Sequence, residues 1–389
     1  MQVMNRYRSS RFRVGILVIL PALAALLTTG CAEQQILDET GLATIFTADL
    51  LENGMIRGTI LIPVINPDAQ EKIQIASAVG RTIRSVRDQI NLQLDKRLLS
   101  GQLRVTLYSD KLAKQGIIGI VDTLYRDPSI ASRMYLGVYE GETNQLLTYP
   151  FKEEGNIGMY LYRLIEQNVE QEKIPSATLH EFLRAYFSQG SDPYLPYFVK
   201  KGDEIMLKGI ALFYRDKLKG VASPQEAFFI KLIRDLFEAG SYETSIPRRL
   251  LGLPEKKNGG GHENRVDIVL DTISSESKIK LVGTRPPKFE IKIKFQTRIL
   301  EMSDPIDIAN QKTMTTIQQE VEKEMVASMQ KLMKKLQKLT VDPIGFGEIY
   351  LANQPGARKL SHEELHKLFK QATFRFRVEG EIIRSGTTD

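Results

Sequence analysis

Strict alternation of apolar and charged residues leaves a chain little conformational choice, and it occurs twice in the last third of this one. Phe289, Ile291, Ile293, Phe295 and Ile299 alternate with Lys288, Glu290, Lys292, Lys294 and Arg298; Phe374, Phe376 and Val378 alternate with Arg375, Arg377 and Glu379. Successive strand side chains point to opposite faces, so both stretches read as antiparallel strands with one buried and one solvated face. Between them the period changes. From near Asp307 to Thr340, Ile317, Val321, Met325, Met329, Leu332, Leu336 and Leu339 fall on one side of a helix, and Asp342-Pro343 stops it. Glu320, Glu322 and Glu324 precede Lys331, Lys334, Lys335 and Lys338, the order that the helix dipole favours. A coiled-coil seam would need a longer repeat and would leave the sheet uncovered. The pattern therefore predicts a C-terminal antiparallel sheet covered by a long amphipathic helix. Its seven apolar side chains contribute on the order of 10–20 kcal/mol before entropy is subtracted.

Upstream, strands and helices intermix. Leu42 to Leu50 and Met55 to Ile65 flank Glu52-Asn53-Gly54, a hairpin signal. Residues 73 to 99 carry Ile83, Val86, Ile90 and Leu94 at helical spacing, and Leu103 to Tyr108 reads as a strand. Asp110 caps a helix expected to run through Leu124, Arg133 to Tyr139 reads as a strand, and helices are expected near 156–171 and 177–188. Gly190-Ser191-Asp192-Pro193 and Pro196 read as turn residues. A hairpin around Arg215-Asp216 follows, then a helix opened by Ser223-Pro224 and stopped at Gly240. Residues 254–264 read as a glycine-rich linker. The fold class is α+β, multidomain, with mixed sheets and packed helices. The expected division is 41–197 for an N-terminal α/β domain, 203–253 for a middle hairpin-helix unit, and 264–386 for the C-terminal sheet and its helix.

The first thirty residues stand apart. Arg6, Arg8, Arg11 and Arg13 precede an uncharged apolar run from Val14 to Leu27. As a helix that run is about 21 Å long, short of the roughly 30 Å hydrocarbon core of a bilayer. Residues 1–30 thus read as a signal peptide. Cys31, the only cysteine in 389 residues, follows Thr28-Thr29-Gly30. One cysteine forms no internal disulfide. The tetrapeptide resembles a bacterial lipobox, in which the cysteine sulfur is acylated and becomes the first residue, with 31–40 as the lipidated tether. Two or more lipid chains anchor a protein stably, at roughly 0.8 kcal/mol per buried CH₂.

The leader holds four arginines and no acidic residue, so its removal lowers the formal charge from +6 to +2. Near-neutrality of what remains argues against nucleic acid as a partner, which calls for a concentrated basic patch. Gly259-Gly260-Gly261 precedes a strand instead of a helix N-terminus, so no nucleotide-binding loop is expected there. No cofactor is expected.

Several stretches together resemble the Ger(x)C family of spore germination lipoproteins. They are Gly101-Gln102-Leu103-Arg104-Val105, Lys111 to Ile117, Tyr125-Arg126-Asp127-Pro128, Asp192-Pro193-Tyr194-Leu195-Pro196, Lys208 to Phe213, Asp216-Lys217-Leu218, and Asp342-Pro343-Ile344-Gly345-Phe346-Gly347. The family often has Trp-Asp after the lipid-bearing cysteine, where this chain has Ala32-Glu33 and no tryptophan at all. The resemblance implies a C subunit of a nutrient germinant receptor, partnered by membrane A and B subunits. It implies a site on the outer face of the spore inner membrane or cell membrane, lipidation at Cys31, and no enzymatic activity.

One segment points elsewhere. His362-Glu363-Glu364-Leu365-His366 fits H-E-x-x-H, where two histidines on one helical face hold zinc and the glutamate activates water. That would make a surface zinc metallopeptidase. The competing expectation is a solvated helix, because Ser361 and Glu364 form a capping box that puts His362 in the first turn. His180 and His262 lack partners at ligand spacing. A third reading is a lipoprotein that binds the germinant itself.

Overall fold

The computed structural model describes residues 40–64, 72–149, 156–235, 240–256 and 263–383. Cys31, its leader and His262 lie outside them. In chain order the elements are β1 (Thr40–Leu42), β2 (Ile45–Leu50), β3 (Ile56–Pro63), β4 (Ile73–Gly80), α1 (Ile83–Asn91), β5 (Arg97–Leu99), β6 (Val105–Ser109), α2 (Asp110–Gln115) and α3 (Ile118–Tyr125). Next come β7 (Tyr135–Tyr139), α4 (Thr143–Thr148), α5 (Ile157–Glu170), α6 (Leu179–Phe187), β8 (Tyr194–Lys201), β9 (Glu204–Tyr214), β10 (Lys217–Ala222) and α7 (Pro224–Arg234). The remainder is β11 (Ser241–Pro247), β12 (Arg265–Thr284), β13 (Pro287–Met302), α8 (Gln311–Leu339), α9 (Phe346–Asn353), α10 (His362–Gln371) and β14 (Thr373–Ile382).

An eight-stranded mixed sheet in the order β10-β9-β8-β7-β6-β2-β3-β4 forms the first layer. Its centre is parallel, from β2 through β6 and β7 to β8, and antiparallel hairpins extend both edges. Parallel strands require crossovers, and helices supply them on both faces. Val86, Leu112, Val121 and Phe182 cover one face; Leu146, Leu147, Leu161 and Ile165 cover the other. With both faces covered, all of Val105–Ser109 is buried.

Several expectations change. Residues 73–80 are a strand, since the helical spacing begins only at Ile83. The helix expected from Asp110 to Leu124 breaks at Gly116, whose φ of +127° no L side chain tolerates readily. Pro196, expected as a turn residue, lies inside β8, where proline's fixed φ fits an extended run. The hairpin of 204–222 pairs with β8 in the same sheet.

A second sheet runs β11-β12-β13-β14. β13 is antiparallel to β12 but parallel to β14, which corrects the antiparallel expectation for that pair. The physical reason is the connection: a long helical crossover returns the chain in the same direction. α8 supplies it and packs Ile317, Val321, Met325, Met329, Leu332 and Leu336 in full burial on the face that carries Phe289, Ile291, Ile293 and Phe295. The helix starts at Asn310, whose side chain accepts from Lys312 N and Thr313 N, a few residues after Asp307. The apolar residues of the two sheets merge into one core, with α7 between them. Lys335 of α8 donates to the Val221 carbonyl at 2.8 Å and pairs with Glu226 of α7 at 2.6 Å. Among the described residues no helix is long and apolar enough to cross a membrane.

Met329 is wholly buried at the middle of the α8 stripe. Met329→Ala is expected to cost about 2–5 kcal/mol, read as a lowered midpoint in urea unfolding, whereas Lys331→Ala on the solvated side should leave the midpoint nearly unchanged.

Candidate functional site

Three loops and a helix meet where the two sheets join. The first loop, Ser188–Pro193, leads from α6 into β8; the second, Thr340–Gly345, leads from α8 into α9; the third is the β9–β10 turn. The first loop bonds the second, Asp192 N to the Asp342 carbonyl at 2.9 Å, and the first turn of α9, Glu348 N to the Gly190 carbonyl at 3.1 Å. Their main chains lie so close that a Cβ on Gly190 would sit 2.2 Å from Glu348 N. Only glycine fits such an approach. Glu348 completes the contact, accepting from Ser188 Oγ at 2.6 Å and Ser191 Oγ at 2.8 Å.

Asp192 sits inside this junction with no solvent exposure. Its Oδ1 accepts from His362 Nε2 at 3.0 Å and from Arg215 N at 3.1 Å. Its Oδ2 accepts from His366 Nε2 at 2.5 Å and from Asp342 N at 2.8 Å. One carboxylate thus takes four N–H groups from three separate segments. Asp342 repeats the device locally, with Oδ1 on Gly345 N at 2.8 Å and Oδ2 on Gly347 N at 2.9 Å. Tyr214, at the end of β9, packs edge-on against both imidazoles, 5.0 Å from each.

The histidines reach Asp192 because residues four apart share a helical face. Ser361 and Glu364 do cap α10 as the sequence indicates. The expectation of a solvated segment is corrected, however: His362 and His366 are both 3 % exposed. Burial follows from the partner, since an imidazole loses little by leaving water when a carboxylate replaces its hydration. His180 is exposed on α6, away from this cluster. The sequence named both histidines but not Asp192 as their acceptor. Its place in Asp192-Pro193-Tyr194-Leu195-Pro196 was the signal available.

The protons follow from the partners. His366 Nδ1 lies 2.8 Å from the His362 carbonyl, which can only accept, and its Nε2 faces a carboxylate. Both ring nitrogens therefore carry hydrogen, and His366 is an imidazolium. Burial alone would lower its pKa, but the hydrogen bond and charge of Asp192 reverse that and raise it. Burial alone would raise the Asp192 carboxyl; the hydrogen bonds from His362 and His366 and the charge on His366 hold it down at about 2. The two shifts share one interaction, which counts once. Asp342 is pushed up to about 6 by complete burial, against which the N–H groups of Gly347, Gly345 and Phe346 pull.

Two imidazoles and a carboxylate are also a zinc-type donor set, and the three donor atoms lie within 4.8 Å of one another. The spacing fits protons better. Ligands about 2 Å from a tetrahedral zinc sit about 3.3 Å apart, whereas His366 Nε2 and Asp192 Oδ2 are at hydrogen-bond distance, 2.5 Å. Glu363, the residue that would activate water, turns outward: its side chain is 70 % exposed and pairs with Lys367 at 3.0 Å. The arrangement is a buried polar tie between segments, and Glu363 lies on the exposed side of α10.

Comparison with known proteins gives these segments a context. A family model described as "Spore germination protein N-terminal domain" matches residues 33–200, and one described as "Spore germination B3/GerAC like, C-terminal" matches 208–386. The chain is 28 % identical to the spore germination protein GerQC of Bacillus cereus, over 95 % of this chain and 99 % of that one. It is 19 % identical to the putative spore germination protein YfkR of Bacillus subtilis, over 90 % and 92 % of the two chains. The crystal structure of the GerBC protein shares the fold, with a TM-score of 0.56 at 16 % identity, over 87 % of this chain and 97 % of that one.

The junction yields two predictions. Asp192→Ala removes the partner of a buried cation and is expected to cost about 3–5 kcal/mol, measured by urea unfolding. The pH dependence has a definite sign. Asp192 contributes stability above its ordinary 3.8 that is lost as pH falls toward about 2. His366 contributes below its ordinary 6.5, and this is lost as pH rises through its raised value. Asp342 costs stability as pH rises from 3.8 through about 6. The junction is thus most stable near 3.8 and loses stability as pH rises through about 6. The stability difference between the wild type and His366→Leu should accordingly be larger near about pH 5 than near about pH 8.

Proposed function

The chain belongs to the Ger(x)C family of spore germination proteins, and from that premise we propose that it is the lipid-anchored C subunit of a nutrient germinant receptor. The observation that carries the reading is the tandem match, 33–200 and 208–386, which begins two residues after Cys31. Family sequence therefore starts where a lipobox would place the first residues of the processed protein. In this reading Cys31 carries a diacylglyceryl group, residues 31–40 tether the fold, and the subunit stands on the outer face of the spore inner membrane. Its partners are the receptor's membrane A and B subunits.

The mode of action is association. The Asp192 junction holds the first sheet, the β9–β10 hairpin and α10 in one arrangement, so the subunit offers its partners a surface of fixed shape. The polar groups at that junction are turned inward on one another, and the large surfaces of the two sheets' helices and of the charged face of β12–β14 remain for contact. A division of labour follows in which 41–197 with the 203–253 hairpin and helix forms one side of the surface and 264–386 the other.

Cys31→Ala is expected to move the protein from the membrane fraction to the soluble fraction and to slow nutrient-triggered germination, with germination followed as loss of spore optical density. Unchanged membrane association together with unchanged germination would contradict the reading. Co-purification of the acylated chain with the A and B subunits checks the partner assignment separately.

A further inference from the structure

The start of the described chain sits beside an open amphipathic cavity. β1 pairs with β5, and Ala43 N donates to the Leu99 carbonyl at 3.2 Å. β5 follows α1 through the turn Leu92–Lys96, and this turn, β5 and the end of α3 enclose a cavity of about 870 Å³. Its floor is apolar, with Phe46, Ile60, Leu98 and Leu103. Its rim carries Arg84, Arg87, Lys96, Arg97 and Arg126, against three carboxylates, Asp88, Asp95 and Asp127. Arg87 pairs with Asp127 at 2.7 Å and Arg126 with Asp122 at 2.8 Å, so with Asp122 the rim sets five cations against four carboxylates, an excess of one. Two large apolar side chains project beside it: Leu92, 88 % exposed, and Tyr125, 55 % exposed. Leu92 is more exposed than any other large apolar side chain among the described residues.

We propose that this face lies on the anionic surface of the bilayer, with Leu92 and Tyr125 at headgroup depth and a lipid headgroup phosphate at the cationic rim. The proposal rests on the reading of Cys31 as the acylated residue. Thr40 follows Cys31 by nine positions, and a fully extended chain gains at most about 3.6 Å per residue. The anchor is therefore within about 32 Å of β1 whatever path the tether takes. The tether thus keeps β1, and β5 paired with it, within reach of the bilayer surface. Basic side chains near an anionic leaflet contribute favourably, and exposed Leu and Tyr suit the interfacial zone. An apolar floor under a cationic rim matches an amphiphile with a negative headgroup better than it matches a small soluble anion.

The chain contains no tryptophan, which gives a clean test. Leu92→Trp places one fluorophore at the proposed contact, and Val282→Trp places one at an exposed position near the end of β12, 58 % exposed, as a control. Full-length acylated protein is reconstituted on phosphatidylcholine vesicles with and without phosphatidylglycerol, some carrying brominated acyl chains. The expected result is a blue shift and bromine quenching for Leu92→Trp, greater with phosphatidylglycerol, and neither effect for Val282→Trp. Adding Arg84→Glu and Lys96→Glu should weaken the anionic-lipid dependence by roughly fivefold or more per cation lost. If the Leu92→Trp protein floats with vesicles and is acylated by mass spectrometry, yet shows no quenching, this proposal alone is overturned. An unmodified Cys31 overturns the anchor and this proposal together. Fluorescence of the Leu92→Trp protein that responds only to added A or B subunits assigns the face to a protein partner and overturns it as well.

Discussion

The Asp192 carboxylate is the constraint on which the arrangement of this protein depends. Among the described residues no lysine or arginine side chain pairs with it; it takes two imidazole N–H groups from α10, one amide from the β9–β10 turn and one from the loop after α8. A buried carboxylate is costly unless its lone pairs are filled and its charge is matched. Here the geometry fills four of them and His366 supplies the charge. The segments concerned are distant in sequence, His362 following Asp192 by 170 positions. The ion pair is therefore a condition on the tertiary fold, met only when both sheets are complete.

Around that point the rest of the packing is apolar and ordinary. The parallel centre of the large sheet is covered on both faces, and the stripe of α8 covers one face of the smaller sheet, giving a core that runs from one to the other. Nonpolar burial supplies the stability, and by itself it tolerates sliding of one surface over another. A hydrogen-bonded carboxylate does not tolerate sliding, because a displacement of an ångström leaves N–H groups and a charge unpaired. The close main-chain approach of Gly190 to Gly347 and Glu348 has the same effect. Such a junction suits the proposed role of presenting a surface of fixed shape to partners.

How much of this was legible in the sequence differs from element to element. The stripe of α8 and the alternation of β13 and β14 were plain, because local periodicity reports which face is buried. Their relative direction was not, since alternation looks the same in parallel and antiparallel strands. β11 lacked a local signal, and for β12 the sequence indicated only a strand after Gly261; its polar Ser274-Ser275-Glu276-Ser277 stretch is a strand because β13 pairs with it. Residues 73–80 were absorbed into the helix that follows because Ala and Gln fit either. At the junction, H-E-x-x-H drew attention to the helix face that meets Asp192. Spacing along a helix says that two imidazoles converge, and only the tertiary fold says on what. Asp192 and Asp342 each stood in a stretch shared with the family, and nothing local indicated that the two stretches meet.

The central claim is that His366 is a buried cation hydrogen-bonded to Asp192. Nitrogen-15 NMR of the imidazoles in ring-labelled protein at neutral pH tests it directly. The account predicts that both ring nitrogens of His366 carry hydrogen and that their resonances keep imidazolium positions above the pH at which a solvent-exposed histidine deprotonates. A bare Nε2 on His366, or a ring-nitrogen resonance shifted by bound metal, would contradict it.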